Sequence, residues 1–264
     1  MNAKKIIKYI SIMITPSIIL INAFASEVNA NYDLPLEKKE ITVGKSKYSD
    51  SLIKRNCYKY SDYIVVEEVD GGQKGGALIR LEPTKNNVNI LKVCKNKISD
   101  FKIKMVADGY YGGKINQFII NDGDDGFGSE FLFQIFAIKN NKLTKVFQDL
   151  RHDNQSYEYI KTSQNKLGVR YWKSLKVEND CLVKDTTCLD KIRVANKIST
   201  DLNFNNCIKS IEQRISTLKN EPYDVSYLNN TSGNQFFVYI EIPDIYSSKN
   251  YKILDKNVVC ESKP

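Results

Sequence analysis

One pattern repeats through most of this chain of 264 residues: short runs rich in Val, Ile, Tyr and Phe, separated by Gly, Asn and Asp. Such runs are typical of β-strands, because β-branched and aromatic side chains pack well on a pleated surface. The pattern predicts a mainly β fold, α+β by content, in which antiparallel strands form a sandwich or a barrel-like sheet. The runs that we interpret as strands are residues 57–69, 77–82, 88–93, 101–106, 115–120, 131–138, 142–148, 157–161, 167–177, 235–242 and 251–259.

Two segments toward the C-terminus have the spacing of helices. Residues 208–218 place Ile or Leu at i, i+3, i+7 and i+10, which is one stripe of an amphipathic helix, and Pro222 lies beyond its end. A shorter helix is expected over about 189–198. The sequence therefore predicts one or two late helices added to the β-rich scaffold.

The first 25 residues have the features of a secretory signal peptide. Three lysines precede an apolar run over residues 10–21, and Ala23-Phe24-Ala25 forms a small-x-small cleavage pattern. The run is shorter than the roughly 20 residues that a membrane-spanning helix needs, and Pro16 interrupts it. We therefore favour a cleaved signal over an N-terminal anchor, and no membrane span is expected after cleavage. The protein is predicted to be exported, either periplasmic or secreted.

The rest of the chain divides by composition. Residues 26–56 are polar and dense in Lys and Glu, which predicts a loosely held leader. Residues 57–264 are predicted to form a single β-rich domain stapled by disulfides. The whole chain has 39 basic and 31 acidic residues, so its formal charge is +8. Because the excess is scattered and not gathered on one face, we do not expect nucleic-acid binding.

The number of cysteines is even, which in an exported chain predicts three disulfides. A structural zinc site usually takes Cys or His pairs separated by about two to five residues. That spacing is not met here, since even the nearest pair, Cys181 and Cys188, is more widely separated. The sequence does not fix the connectivity, and our expected pairs are Cys57–Cys94, Cys181–Cys188 and Cys207–Cys260.

Residues 121–130 carry the sharpest chemical signal, because this link between two predicted strands contains four acidic residues and three glycines. Calcium takes about six to eight oxygen ligands, and the loop is similar in composition to β-loop calcium turns. Its spacing departs from theirs, since Gly123 stands where a ligand belongs, and an ordinary solvated turn explains the same residues. Calcium is therefore a hypothesis for this loop, and no other cofactor is expected. The candidate ligands are Asp122, Asp124, Asp125 and Glu130.

Aromatic residues lie between glycines in two connections: Tyr110 and Tyr111 in one, and Phe127 in the acidic loop. Exposed aromatic side chains on loops suit contact with a protein or a sugar, so these three are the candidate binding residues. The single histidine, His152, follows a predicted hairpin, and we interpret it as a surface or loop residue.

No catalytic motif stands out, such as a Gly-x-Ser-x-Gly elbow or His-Glu-x-x-His. The leading hypothesis is thus an exported, non-catalytic protein that binds a protein partner through loops over residues 107–130. A periplasmic inhibitor or a toxin-neutralising, immunity-type protein would fit this class. The alternatives are a secreted hydrolase that uses loop carboxylates and a calcium-stabilised surface module. Neither the oligomeric state nor the partner follows from the sequence.

Overall fold

The protein is described from a computed structural model. It covers residues 32–72, 76–84, 88–105, 109–123, 130–153, 155, 157–163, 166–178, 180–219 and 225–263. The predicted signal peptide over residues 1–25 lies outside these ranges. Among the helices of the described part, none is both long and apolar enough to cross a membrane.

Five antiparallel strands form a small sheet whose strand order follows the chain. They are β1 Glu37–Lys45, β2 Leu52–Lys59, β3 Tyr63–Asp70, β4 Leu78–Pro83 and β5 Ile103–Met105.

Nine strands form a large sheet in the order β13-β12-β11-β9-β8-β7-β6, in which β10 also pairs with β11 and β14 with β12. They are β6 Tyr110–Ile115, β7 Phe118–Asp122, β8 Glu130–Lys139, β9 Lys142–His152, β10 Glu158–Ser163, β11 Lys166–Ser174, β12 Asn234–Ile242, β13 Lys252–Ile253 and β14 Val259–Ser262.

The two sheets pack face to face, as in a β sandwich. Val65, Ile79 and Leu81 of the small sheet contact Ile119 and Phe136 of the large sheet in one buried cluster. Because side chains alternate along a strand, residues an odd number of positions away, such as Phe118 on β7 and Phe133 on β8, lie on the opposite face of the large sheet. The large sheet is therefore apolar on both faces in this region.

Within the described residues, three α-helices cover the outer sides: α1 Ile90–Lys95, α2 Thr186–Ala195 and α3 Asn205–Leu218. Ile192 of α2 and Ile211 of α3 pack with Phe118 and Phe133 against the large sheet. Helix α1 packs on the small sheet, where Ile90 and Val93 join a separate buried cluster. The mainly β fold and the two helices near the C-terminus are confirmed.

All three expected disulfides form: Cys57–Cys94, Cys181–Cys188 and Cys207–Cys260. The first joins β2 to α1, the second joins the segment before α2 to that helix, and the third joins α3 to β14. Each bond therefore ties a helix to a strand or to a neighbouring segment, which suits a fold whose helices are short.

The structure corrects several expectations about local structure. Residues 57–69 and 251–259 were each predicted to be one strand, but a break separates β2 from β3 in the first, and the second is strand only at β13 and at the start of β14. The polar leader contains β1 and most of β2. Pairing holds both strands, since β2 pairs with β3 and β1 pairs with β2, although Ile41 alone of β1 packs against the core. Residues 88–93 were predicted to be a strand, but helix α1 starts at residue 90. Asn89 caps that helix by accepting hydrogen bonds from the amides of residues 91 and 92. Residues 115–120 form two strands and not one, since Asn116 adopts a φ of 50° in a turn between β6 and β7.

Candidate functional site

The polar residues nearest the acidic loop gather where β7 and β9 end and β8 begins. Arg151 and His152 are the last two residues of β9 and pair with Phe131 and Glu130 of β8. Because successive side chains of a strand point to opposite faces, Arg151 lies on the face covered by the helices and His152 on the other. Two separate polar clusters follow from this alternation.

The first cluster surrounds Asp122, the last residue of β7. Its Oδ1 lies 3.6 Å from a terminal nitrogen of Arg151, and the Tyr157 hydroxyl donates to its Oδ2 at 3.4 Å. The Arg151 guanidinium also stacks over the Tyr157 ring at 4.2 Å. Burial raises the pKa of the Asp122 carboxyl, and Arg151 opposes part of this shift. The Asp122 carboxyl group therefore already has two partners within the fold, the Arg151 guanidinium and the Tyr157 hydroxyl.

Tyrosines extend this cluster to the start of the described chain. The hydroxyls of Tyr32 and Tyr157 are 3.1 Å apart, and the rings of Tyr32 and Tyr159 are 5.8 Å apart. Burial raises the pKa of Tyr157 to about 12, with the Asp122 charge as a further cause. Asp33 accepts a hydrogen bond from Lys161 at 2.7 Å. The cluster therefore anchors the segment before β1 to the large sheet, which is a structural role.

The second cluster corrects the expectation that His152 lies at the surface. The residue is 1% exposed, and its ring centroid is 4.4 Å from that of Phe237. Nε2 lies 2.8 Å from Oε1 of Glu261, and Nδ1 lies 3.3 Å from Oδ1 of Asp153. The imidazole is therefore held between carboxylates that come from two different parts of the chain.

These three residues also form the one group with the composition of a metal site within the described ranges. A metal ion binds one nitrogen of an imidazole, whereas here each ring nitrogen faces a different carboxylate at hydrogen-bond or near hydrogen-bond distance. This arrangement fits a hydrogen-bonded clasp between β9 and β14 better than a coordination sphere. It also leaves neither nitrogen placed as a general base toward a substrate.

The acidic loop does not bring its two described carboxylates together. Asp122 is paired in register with Phe133, and Glu130 lies three residues before Phe133 on the same strand, so the two acids point to opposite faces of the sheet. Glu130 accepts a hydrogen bond from the Ser174 hydroxyl. The other two candidate ligands, Asp124 and Asp125, lie outside the described residues, as does the candidate binding residue Phe127.

The two tyrosines predicted to lie on a loop belong to strand β6. The hydroxyls of Tyr111 and Tyr60 are 2.7 Å apart, and the Tyr111 amide donates to Glu67 at 2.9 Å. Burial raises the pKa of Tyr111 well above its ordinary range. Tyr111 thus joins the large sheet to the small one, and Tyr110 is partly exposed at the start of the same strand.

A surface that sequence reasoning missed lies on β10, β11 and β12. Trp172 is directly opposite Tyr239, with ring centroids 5.4 Å apart, and Arg170 is directly opposite Glu241. The Arg170 Nε donates to Glu241 at 2.6 Å, and the guanidinium lies 3.3 Å from Glu158. We call these five residues the aromatic patch.

The aromatic patch lies at the surface, since the Arg170 side chain is 38% exposed and both aromatic residues are partly exposed. A sequence signal for it existed in β11. Leu167, Val169 and Tyr171 are the buried large side chains of this strand, whereas Trp172 shares its parity with Arg170 and Ser174. Period-2 alternation therefore predicts that Trp172 faces outward with the polar residues.

Comparison of this chain with protein-family models, curated proteins and solved structures finds no match in any of the three.

Proposed function

We propose that this chain is an exported, non-catalytic binding protein that recognises a protein partner through the aromatic patch. The observation that carries the proposal is the placement of Trp172, Tyr239 and Arg170 side by side on the surface of a sheet. Trp172 is the sole tryptophan of the chain, and it is placed among surface residues and not in the main core clusters.

The composition of the aromatic patch supports a protein partner. Trp, Tyr and Arg are the residue types most enriched at the energetic centres of protein interfaces, because they combine a large contact area with polar groups that fix orientation. Glu158 and Glu241 hold the Arg170 side chain in place, so little side-chain entropy is lost when a partner binds. Three adjacent paired strands, β10, β11 and β12, carry the whole surface, which makes it rigid.

The polar clusters near the acidic loop support a binding role over catalysis. Asp122 is engaged by Arg151 and Tyr157, and both nitrogens of His152 face carboxylates. The Asp122 carboxyl and the His152 imidazole therefore contact other residues of the fold, whereas a general acid or base must contact a substrate. A secreted hydrolase is the alternative that this proposal excludes.

Export is supported by chemistry and by sequence. Three disulfides form and persist in oxidising surroundings such as the periplasm or the extracellular space. The predicted signal peptide over residues 1–25 supplies the route. Within this class, we propose an inhibitor or toxin-neutralising protein, since such proteins act by presenting a rigid surface to one partner.

The test compares protein capture by the wild-type chain with capture by Trp172→Ala and Arg170→Glu variants. Each chain, oxidised and processed, is immobilised and exposed to the exported-protein fraction of its own source. We expect a protein that the wild type retains and both variants lose, with affinity reduced at least about tenfold when the purified partner is titrated. Tyr227→Ala is the matched control, because Tyr227 is an exposed aromatic residue outside the aromatic patch.

Equal capture by the wild type and both patch variants would overturn the proposed surface. Circular dichroism and melting temperature must show that the variants are folded. A separate screen against peptidoglycan, peptide and ester substrates addresses catalysis. Turnover that is lost with Asp122→Asn or Glu130→Gln would overturn the non-catalytic proposal and establish the hydrolase alternative.

A further inference from the structure

Strand β1 leaves one long edge of the small sheet without a partner strand. It spans nine residues and pairs with β2 on one side, and no described residue forms a ladder with its outer side. An edge of this kind presents backbone donors and acceptors to any extended chain that approaches it.

Exposed apolar side chains flank this edge at both ends. Leu34 and Leu36, just before β1, are 88% and 72% exposed, which makes them the two most exposed large apolar residues of the described chain. Tyr48, just after β1, is 57% exposed. Apolar groups at both ends of an unpaired strand indicate a contact that continues beyond the strand itself.

The order of charges along β1 identifies the occupant. When the strand Glu-Lys-Lys-Glu-Ile-Thr-Val-Gly-Lys is set antiparallel to a second copy with Ile41 opposite Ile41, Glu37 of each copy lies opposite Lys45 of the other. Lys38 then faces Gly44, Lys39 faces Val43, and no two like charges are opposed. We propose that two copies of this chain pair through β1 in this register, forming a continuous sheet across a two-fold axis.

Neighbouring registers are less favourable. Shifting the second copy by one residue one way sets Lys38 opposite Lys45, and like charges directly opposed destabilise a strand pair. A shift by one residue the other way removes both Glu37–Lys45 pairs. The register centred on Ile41 also brings Leu34 of one copy to the level of Tyr48 of the other, so the exposed apolar groups meet.

Lysines and a bulge at an edge strand can instead keep chains apart, and β1 has both, with the bulge at Val43. Protection alone requires charge but no particular order of charges. Pairing of two copies, by contrast, requires the two ends of β1 to carry opposite charges, and Glu37 and Lys45 meet this requirement. The inference is independent of the aromatic patch, which lies on the other sheet.

Charge exchange tests the proposal on the exported, disulfide-bonded protein. Sedimentation velocity over a wide concentration range at low ionic strength measures the dimer dissociation constant. We expect Glu37→Lys and Lys45→Glu each to weaken the dimer about tenfold or more, because each creates two like-charge pairs. The double variant Glu37→Lys/Lys45→Glu restores both pairs and is expected to return within about threefold of the wild type.

Mixing the two single variants gives a second readout. One chain then carries Lys at both positions and the other carries Glu at both, so the mixture is expected to form heterodimers more tightly than either variant forms homodimers. Glu212→Lys and Lys184→Glu are the matched controls, since they reverse an exposed ion pair between α3 and the segment before α2. Neither control should change the dissociation constant.

A wild-type chain that stays monomeric at the highest concentration would overturn the proposal. A dimer whose affinity is unchanged in the single variants, or is not restored in the double variant, would overturn it as well, since another surface then holds the copies together.

Discussion

Nε2 of His152 lies 2.8 Å from Oε1 of Glu261, and this contact joins the end of β9 to the C-terminal strand β14. The ring is buried against Phe237, and Asp153 faces its other nitrogen. Strand β14 is also tied to α3 by the Cys207–Cys260 disulfide. The last strand of the chain is therefore held by a covalent bond on one side and by a buried imidazole on the other.

The His152 clasp predicts that Glu261→Gln lowers the free energy of unfolding. Replacing a carboxylate with an amide weakens a charge-assisted hydrogen bond, and we expect a loss of about 1 kcal/mol because Glu261 is partly exposed to solvent. Urea denaturation followed by circular dichroism measures the change. Glu212→Gln, in an exposed ion pair, is the control and should cost less than about 0.5 kcal/mol. Equal effects of the two variants would contradict the clasp.

Tyr157 predicts a loss of stability in alkali. Its pKa is raised from 10.0 in the unfolded chain to about 12 in the fold, mainly by burial. A raised folded pKa means that its contribution is complete below pH 10 and is lost as the pH rises through about 12. This shift corresponds to a stability contribution of about 3 kcal/mol.

The measurement for Tyr157 is the difference in unfolding free energy between the wild type and Tyr157→Phe across this pH range. The free energy of unfolding of the wild type should fall relative to that of Tyr157→Phe as the pH rises, because phenylalanine does not ionise. Tyr227→Phe serves as the control at an exposed position. A difference that stays constant from pH 10 to about 12 would show that Tyr157 ionises alike in both states.

The disulfides predict unequal losses of stability when they are removed. Cys57–Cys94 spans 37 residues and Cys181–Cys188 spans 7. By loop-closure entropy, replacing the first pair with alanine should cost about 4 kcal/mol and replacing the second about 2.5 kcal/mol. Denaturant unfolding of the two double variants measures both values. A larger loss from the shorter loop would show that packing around each bond, and not chain entropy, sets its contribution.

The positions of Asp122 and Glu130 predict that calcium does not raise the melting temperature. The two carboxylates lie on opposite faces of the large sheet, and Arg151 and Ser174 already engage them. A thermal melt with added calcium, and a second with chelator, measures the effect. A calcium-dependent rise that disappears in Asp124→Ala/Asp125→Ala would contradict this prediction and assign the metal to the loop.

The strand content could be predicted from the sequence because strands leave a local signal. In β11, buried and partly exposed residues alternate from Val169 to Trp172, and the matching alternation of apolar and polar residue types is visible without any knowledge of neighbours. Helix α3 shows its own period in the same way, with a buried Ile211. The even cysteine count and the predicted export predicted three disulfides, and the sequence left their connectivity open, but the three expected pairs are the ones that form.

The candidate sites could not be predicted because they depend on contacts between distant residues. His152 is buried because strand β14, which carries Glu261 109 residues later, lies beside it. Asp122 and Glu130 are close in the chain, but they lie on opposite faces of the large sheet. The helix α1 replaces a predicted strand since its short apolar run packs on a sheet built elsewhere.

The sequence by itself determined most of the segments that become strands and the two helices near the C-terminus, and it predicted covalent cross-linking, because period and residue type act over a few neighbouring residues. The tertiary structure alone decided which strands meet, which face each side chain occupies and which polar groups are buried. Those outcomes depend on the register of strands far apart in the chain, and a shift of one residue would exchange the two faces of a strand.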